Sequence, residues 1–169
     1  MSMINLINLT KSFGARILLD NVGLQLGPNE KLGLIGRNGH GKSTLFKILL
    51  GKELYDSGQV SIPKNYSIGH LEQHLNFQEE TVLAETCLGL PIEEKENIYK
   101  AEAVLFGLGF NKSDLQRSPL EFSGGYQIRL NLAKILISNP NLLLLDEPTN
   151  YLDIISIRWL IKFLKQWKN

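Results

Sequence analysis

The octet GRNGHGKS, Gly36 to Ser43, lies between a compact apolar run, Lys31 to Ile35, and the segment KSTLFKILLG, whose apolar residues keep helical spacing up to Gly51. No other stretch limits the fold as strongly, because a loop of the form G-x-x-x-x-G-K-[ST] requires a strand leading in and a helix leading out. Gly36, Gly39 and Gly41 let backbone N–H groups approach phosphate oxygens with no Cβ in the way, and the helix start adds a favourable dipole end. Lys42 is spaced to reach the β and γ phosphates of a nucleotide, and the Ser43 hydroxyl to ligate Mg²⁺. A plain glycine-rich turn before a helix is the alternative; the flanking strand and helix weigh against it. His40 fills a position the motif leaves free, and His70 and His74 lack partners at ligand spacing, so no metal beyond Mg²⁺ is expected.

A second apolar run, Leu142 to Leu145, ends in the adjacent acids Asp146 and Glu147. In an open α/β sheet the carboxyl edge of the strands is where ligands bind, so Asp146 is expected to hold Mg²⁺ through water. Successive side chains diverge at a strand end, which frees Glu147 to orient the water that attacks the γ-phosphate. A polar strand terminus before a Pro148 turn is the plainer reading, common when such acids stand alone.

Around these motifs the chain reads as strands at Met3–Leu9 and Ile17–Leu26 with a turn near Phe13 and Gly14, then strands at Gly58–Ile62 and Ser67–Leu71. Short helices are expected between Thr81 and Leu115, where Gly89, Pro91, Gly107 and Gly109 break the pattern. A longer helix follows Ser123 and stops at Asn139-Pro140, with Ile128, Leu132, Ile135 and Leu136 on one face. A last helix, Ser156 to Trp167, places Ile157, Leu160, Ile161 and Leu164 together. Alternating strands and helices predict an α/β fold with a mainly parallel sheet, an N-terminal antiparallel part and a helical insert at about 75–138. With 169 residues, 43% hydrophobic and 21% charged, one globular domain over 1–169 is expected. A net charge of +1 gives no bulk argument for nucleic acid. The single Cys87 excludes an internal disulfide and suits the cytoplasm. No apolar run approaches the roughly 20 residues of a membrane span, and the N-terminus has no secretory pattern.

FSGGYQIR, Phe122 to Arg129, resembles the signature motif of ATP-binding cassette (ABC) proteins, and the order of the other motifs agrees. The resemblance implies ATP and Mg²⁺ as ligands. It makes Phe13 similar to the aromatic that stacks on adenine, although packing alone is the usual role of a lone aromatic. Gln73 looks like the glutamine-loop residue, with a catalytic and Mg²⁺-binding role, or equally a surface polar side chain. Lys42 and Glu147 carry the catalytic roles, Asn38 and Thr44 join the nucleotide-contacting set, and Leu152-Asp153 resembles the D-loop. Ser123 is placed to cap a helix whose Gly124 and Gly125 leave N–H groups open, a second anion-binding helix start, unless the triplet is an ordinary flexible cap. In the family this element faces the γ-phosphate held by an opposite cassette, which implies a second cassette as partner.

EPTNYLD and SGGYQIR are similar to the F subfamily, whose members carry paired cassettes and act on ribosomes; the ATP-binding subunit of a membrane transporter is the alternative, and a nonhydrolytic ATP-dependent clamp a further one. In the family a histidine follows the D-loop by one helix and one strand. Here the helix is present and the strand and histidine are not, so the expectation is an incomplete cassette that binds ATP, hydrolyses it weakly, and exposes a sheet edge that favours self-association.

Overall fold

The computed structural model describes residues 3–37, 39–71 and 76–168. They form two compact units, the first running to Ser67 and the second from Ile68 to Trp167.

In the first unit, β1 (Ile4–Phe13) and β2 (Arg16–Leu26) make an antiparallel hairpin. β3 (Ser57–Ser61) pairs antiparallel with the other edge of β1, giving the order β2-β1-β3. The register slips where Asn8 adopts φ 50. Gly58 lies opposite at φ 101, and a Cβ there would stand 2.5 Å from the Asn8 carbonyl oxygen, so only glycine fits beside this bulge. Helix α1 (Lys42–Leu49) buries Leu45, Ile48 and Leu49 and ends where Gly51 turns left-handed at φ 68, as its spacing predicts.

One expectation is corrected here: Lys31 to Ile35 is not a strand, and residues 31–37 carry no regular structure. Leu32, Leu34 and Ile35 are 58%, 41% and 96% exposed. A strand requires a neighbour for its N–H and C=O groups, and this segment is a member of neither sheet.

The second unit contains the short parallel pair β4 (Ile68–His70) and β5 (Leu142–Leu144) with Gly69 opposite Leu143. The glycine is required by packing, since a Cβ would come within 2.8 Å of both Pro140 and Ile135. Helices α2 (Val82–Cys87), α3 (Ile98–Gly107), α4 (Gly124–Ile137) and α5 (Ile154–Gln166) surround a core of Val82, Leu105, Leu108, Leu130, Leu136 and Leu160, all nearly inaccessible. Each such burial is worth roughly 1.5–3 kcal/mol. Thr81 caps α2 by accepting from Ala84 N–H at 3.2 Å, and Asp153 caps α5 by accepting from Ile155 and Ser156 N–H at 3.0 and 2.9 Å.

The helices form where the spacing predicts, with their buried faces rotated. On α4, Ile128 and Ile135 are only half-buried while Leu130, Ala133 and Ile137 are inside. On α5 the buried positions are Ser156 and Leu160, whereas Ile161 is 50% exposed. Trp159 explains the rotation: its indole fills the space that a Cβ on Gly107 would need, fixing which side of α5 meets α3.

Candidate functional site

In the first unit the glycine loop is held from within. Gly39 and Gly41 are left-handed at φ 76 and 88, conformations that glycine adopts without steric cost. Gly41 is also crowded, since a Cβ would lie 3.1 Å from the Leu18 carbonyl oxygen and 3.4 Å from Leu19 Cδ2. Lys42 folds back so that its ammonium donates to the carbonyls of Gly36 at 2.6 Å and Arg37 at 3.1 Å. One cation thereby draws the arms of the loop together. Gly41 occupies the N-cap of α1 with no side-chain cap, and Ser43 and Thr44 sit in the first turn, whose N–H groups have no intrahelical acceptor. Asn38 lies outside the described residues.

Phe13, at the hairpin end, is 48% exposed. Behind it Lys11 Nζ lies 4.5 Å from the ring centroid and pairs with Glu53 at 2.8 Å. Asp56 accepts from the Ser12 hydroxyl at 2.5 Å and from the Ser12 N–H at 2.7 Å. Those bonds hold the Asp56 carboxyl below its ordinary value. Two carboxylates from the segment after α1 thus fix the strand end that carries the ring.

In the second unit β5 stops at Leu144, before the acids. Asp146 is partly buried; Glu147 is exposed and left-handed at φ 47, ψ 49. Divergence of the two side chains was expected from strand alternation; β5 ends before both acids, and Glu147 stands in this turn instead. A non-glycine residue there costs on the order of 1 kcal/mol or more. Two bonds support it: Asn150 Nδ2 donates to Glu147 Oε2 at 2.8 Å, and Asn150 N–H to the Glu147 carbonyl at 3.2 Å. Pro148 opens the single 3₁₀ turn, Pro148–Tyr151, that closes the motif.

Ser123 stands at the N-cap of α4, yet its side chain makes no capping bond, which corrects the expected cap. Gly124 and Gly125 follow with nothing within 4 Å of where a Cβ would be. Gln73 lies outside the described residues.

Two buried charge clusters were not foreseen. Arg129 of α4, 9% exposed, donates to the Tyr151 carbonyl at 2.7 Å, the Leu108 carbonyl at 3.2 Å and Asp153 Oδ2 at 2.9 Å, and its guanidinium lies 4.7 Å from the Tyr126 ring centroid. It ties the helix that starts at Ser123-Gly-Gly to the segment after Glu147. The Ser156 N–H bond, with Arg129, keeps the Asp153 carboxyl below its ordinary value against some burial. Glu85, fully buried, accepts from the N–H groups of Gln78 and Glu79 at 2.8 Å each and from Lys134 of α4. No local sequence signal marked either charge as buried.

A glycine loop feeding a helix and, in the other unit, a parallel strand followed by paired acids are the elements of a phosphate-loop α/β cassette. The family model described as ABC transporter matches residues 19–150, and the chain belongs to that family as an ATP-binding cassette. It is 33% identical to putative ATP-binding protein YdiF of Bacillus subtilis, over 98% of this chain and 32% of that protein. It is 38% identical to ATP-binding protein Uup of Buchnera aphidicola, over 99% of this chain and 29% of that one. A third relative, ATP-binding cassette sub-family F member 3 of Rattus norvegicus, is 33% identical over 95% and 27%. The chain therefore spans about a third of the length of such relatives. Among solved structures, a bacterial ABC transporter cassette, MJ0796, described as dimeric, superposes with TM-score 0.75 at 27% identity, over 96% of this chain and 82% of that one. No helix among the described residues is long and apolar enough to cross a membrane.

Proposed function

We propose that this chain is the ATP-hydrolysing cassette of an F-subfamily protein that works on the ribosome. The observation that carries the catalytic part is the loop clamped by Lys42, with Gly39 and Gly41 both left-handed. Such a loop presents N–H groups to phosphate, and phosphate oxygens then compete for the ammonium that holds the carbonyls. Phe13 offers its exposed face to adenine. Glu147, raised out of the strand by its left-handed turn and steadied by Asn150, orients water toward the γ-phosphate; the products are ADP and phosphate.

The Ser43 hydroxyl and Asp146 carboxylate are hard oxygen donors of the kind Mg²⁺ takes, so the residues present fit that ion. When bound, Mg²⁺ neutralises charge on the β and γ phosphates. Gln73 and Asn38 belong to the same proposed set, with Thr44 beside Ser43. Ser123, Gly124 and Gly125 are assigned to the nucleotide of an opposed cassette, because their own unit leaves the space around both glycines open. The F-type reading is supported by the relative named ATP-binding cassette sub-family F member 3.

The test is steady-state Mg-ATP hydrolysis against protein concentration, with Lys42→Ala as background. Specific activity that rises with concentration and vanishes in the variant is the expected result. Turnover equal to that of Lys42→Ala at every concentration removes the catalytic reading. Co-sedimentation with ribosomes in ATP tests the F-type part, and its absence at saturating nucleotide returns the choice to a transporter subunit.

A further inference from the structure

Phe13 and Arg16 stand directly opposite each other where β1 turns into β2. Directly paired residues project from the same face of a hairpin, with Cβ atoms about 5 Å apart. The guanidinium that shares a face with the ring also reaches the glycine loop: Arg16 Nη2 donates to the Gly39 carbonyl at 2.8 Å. A Cβ on Gly39 would lie 3.8 Å from that nitrogen, so the fork runs alongside the loop.

The two cations of this hairpin end differ in what they can still do. Lys11 is buried and neutralised by Glu53 at 2.8 Å. Arg16 is exposed, and among the described residues no carboxylate pairs with it. Its recorded partner is a neutral carbonyl, which uses one of five N–H donors on a planar fork matched to phosphate oxygens. A nucleotide whose base lies on Phe13 and whose outer phosphates lie at Lys42 must pass its inner phosphates along the loop that Arg16 touches.

We propose that Arg16 is a second cationic contact to the nucleotide, gripping the α/β part of the phosphate chain between the base and the loop. This rests on the nucleotide reading above. It assigns Arg16 a binding role that neither the loop motif nor the signature motif contains.

The test is titration of the 169-residue chain with ATP, ADP and adenosine, for wild type, Arg16→Gln, Arg16→Lys and Lys42→Ala. Loss of one charge-assisted phosphate contact is expected to raise the Kd of ATP and of ADP about tenfold in Arg16→Gln. Arg16→Lys recovers part of that loss, and adenosine binding is unchanged. The salt dependence of the ADP Kd becomes shallower in Arg16→Gln, a change that a role in shaping the loop would not produce. The melting midpoint without nucleotide stays at the wild-type value. Unchanged Kd values in Arg16→Gln, with Lys42→Ala still weakened, overturn the assignment and leave the nucleotide site standing. An equal loss for adenosine also overturns it, because adenosine has no phosphate. A wild-type chain that binds neither ATP nor ADP overturns the site as well.

Discussion

Helices α1 and α4 both begin at glycines, and the surroundings of those glycines are opposite. Gly41 is left-handed at φ 88 and pressed against Leu18 and Leu19, whereas Gly124 and Gly125 have open space around them. At α1 the fold itself demands the glycine. At α4 the local packing tolerates a side chain, so nothing within the unit requires glycine there. The bodies of the helices differ too: α1 is seated by Leu45, Ile48 and Leu49, while α4 is seated by apolar contacts together with the buried Arg129 and the half-buried Lys134.

The largest effect is expected from removing the charge partner of α4. Glu85→Ala leaves Lys134, only 21% exposed in its side chain, without its counter-ion, and deprives the Gln78 and Glu79 N–H groups of their acceptor. Breaking a buried pair from one side costs about 3–5 kcal/mol, readable in a denaturant melt. The same pair has a pH signature. Burial pushes the Glu85 carboxyl up, but the Lys134 ammonium and the Glu79 and Gln78 N–H groups outweigh it and hold it below the ordinary 4.5. A depressed folded-state pKa means a contribution fully present above about pH 4.5 and lost as pH falls through the lower folded value. The stability gap between wild type and Glu85→Gln should therefore be flat at neutral pH and close below pH 4.5. A gap that widens on acidification would show that the carboxyl is raised instead.

What the sequence made legible divides along the same line. The loop Gly36 to Ser43 and the Ser-Gly-Gly start are contiguous, and local spacing alone locates both. The Glu85–Lys134 and Arg129–Asp153 pairs join residues 49 and 24 positions apart, and nothing short-range distinguishes such a charge from one on a solvated face. Lys31 to Ile35 failed for a related reason: an apolar run favours a strand locally, but pairing requires a partner strand that the run itself does not specify. The faces of α4 and α5 were rotated because the large Trp159 ring against Gly107 sets the helix contact, and periodicity does not weigh side-chain size. Gln73 and Asn38 were named from motif position, and both fall outside the described residues.

A smaller stability effect is expected at the start of α1. Gly41→Ala forces a Cβ into a left-handed position 3.1 Å from the Leu18 carbonyl, at a cost of about 1–3 kcal/mol. Because Leu18 belongs to β2, the strain is relieved by moving the loop away from the hairpin, and ATP binding should fall further than stability does. A variant that melts lower but binds ATP as wild type would uncouple the loop from its glycine geometry.

The smallest change in stability, and of opposite sign, is expected at α4. Gly124 lies in the first turn of that helix with no positive φ and no neighbour to meet a methyl group, so Gly124→Ala should stabilise by about 0.4–1 kcal/mol through the entropy of the unfolded chain. If the glycine is kept for an opposed nucleotide, hydrolysis should drop in this more stable variant while ATP binding at the loop of Gly36 to Ser43 is unchanged. A loss of stability comparable to that of Gly41→Ala would instead mean that α4 needs the glycine for its own fold, and the contrast between the two helix starts would vanish.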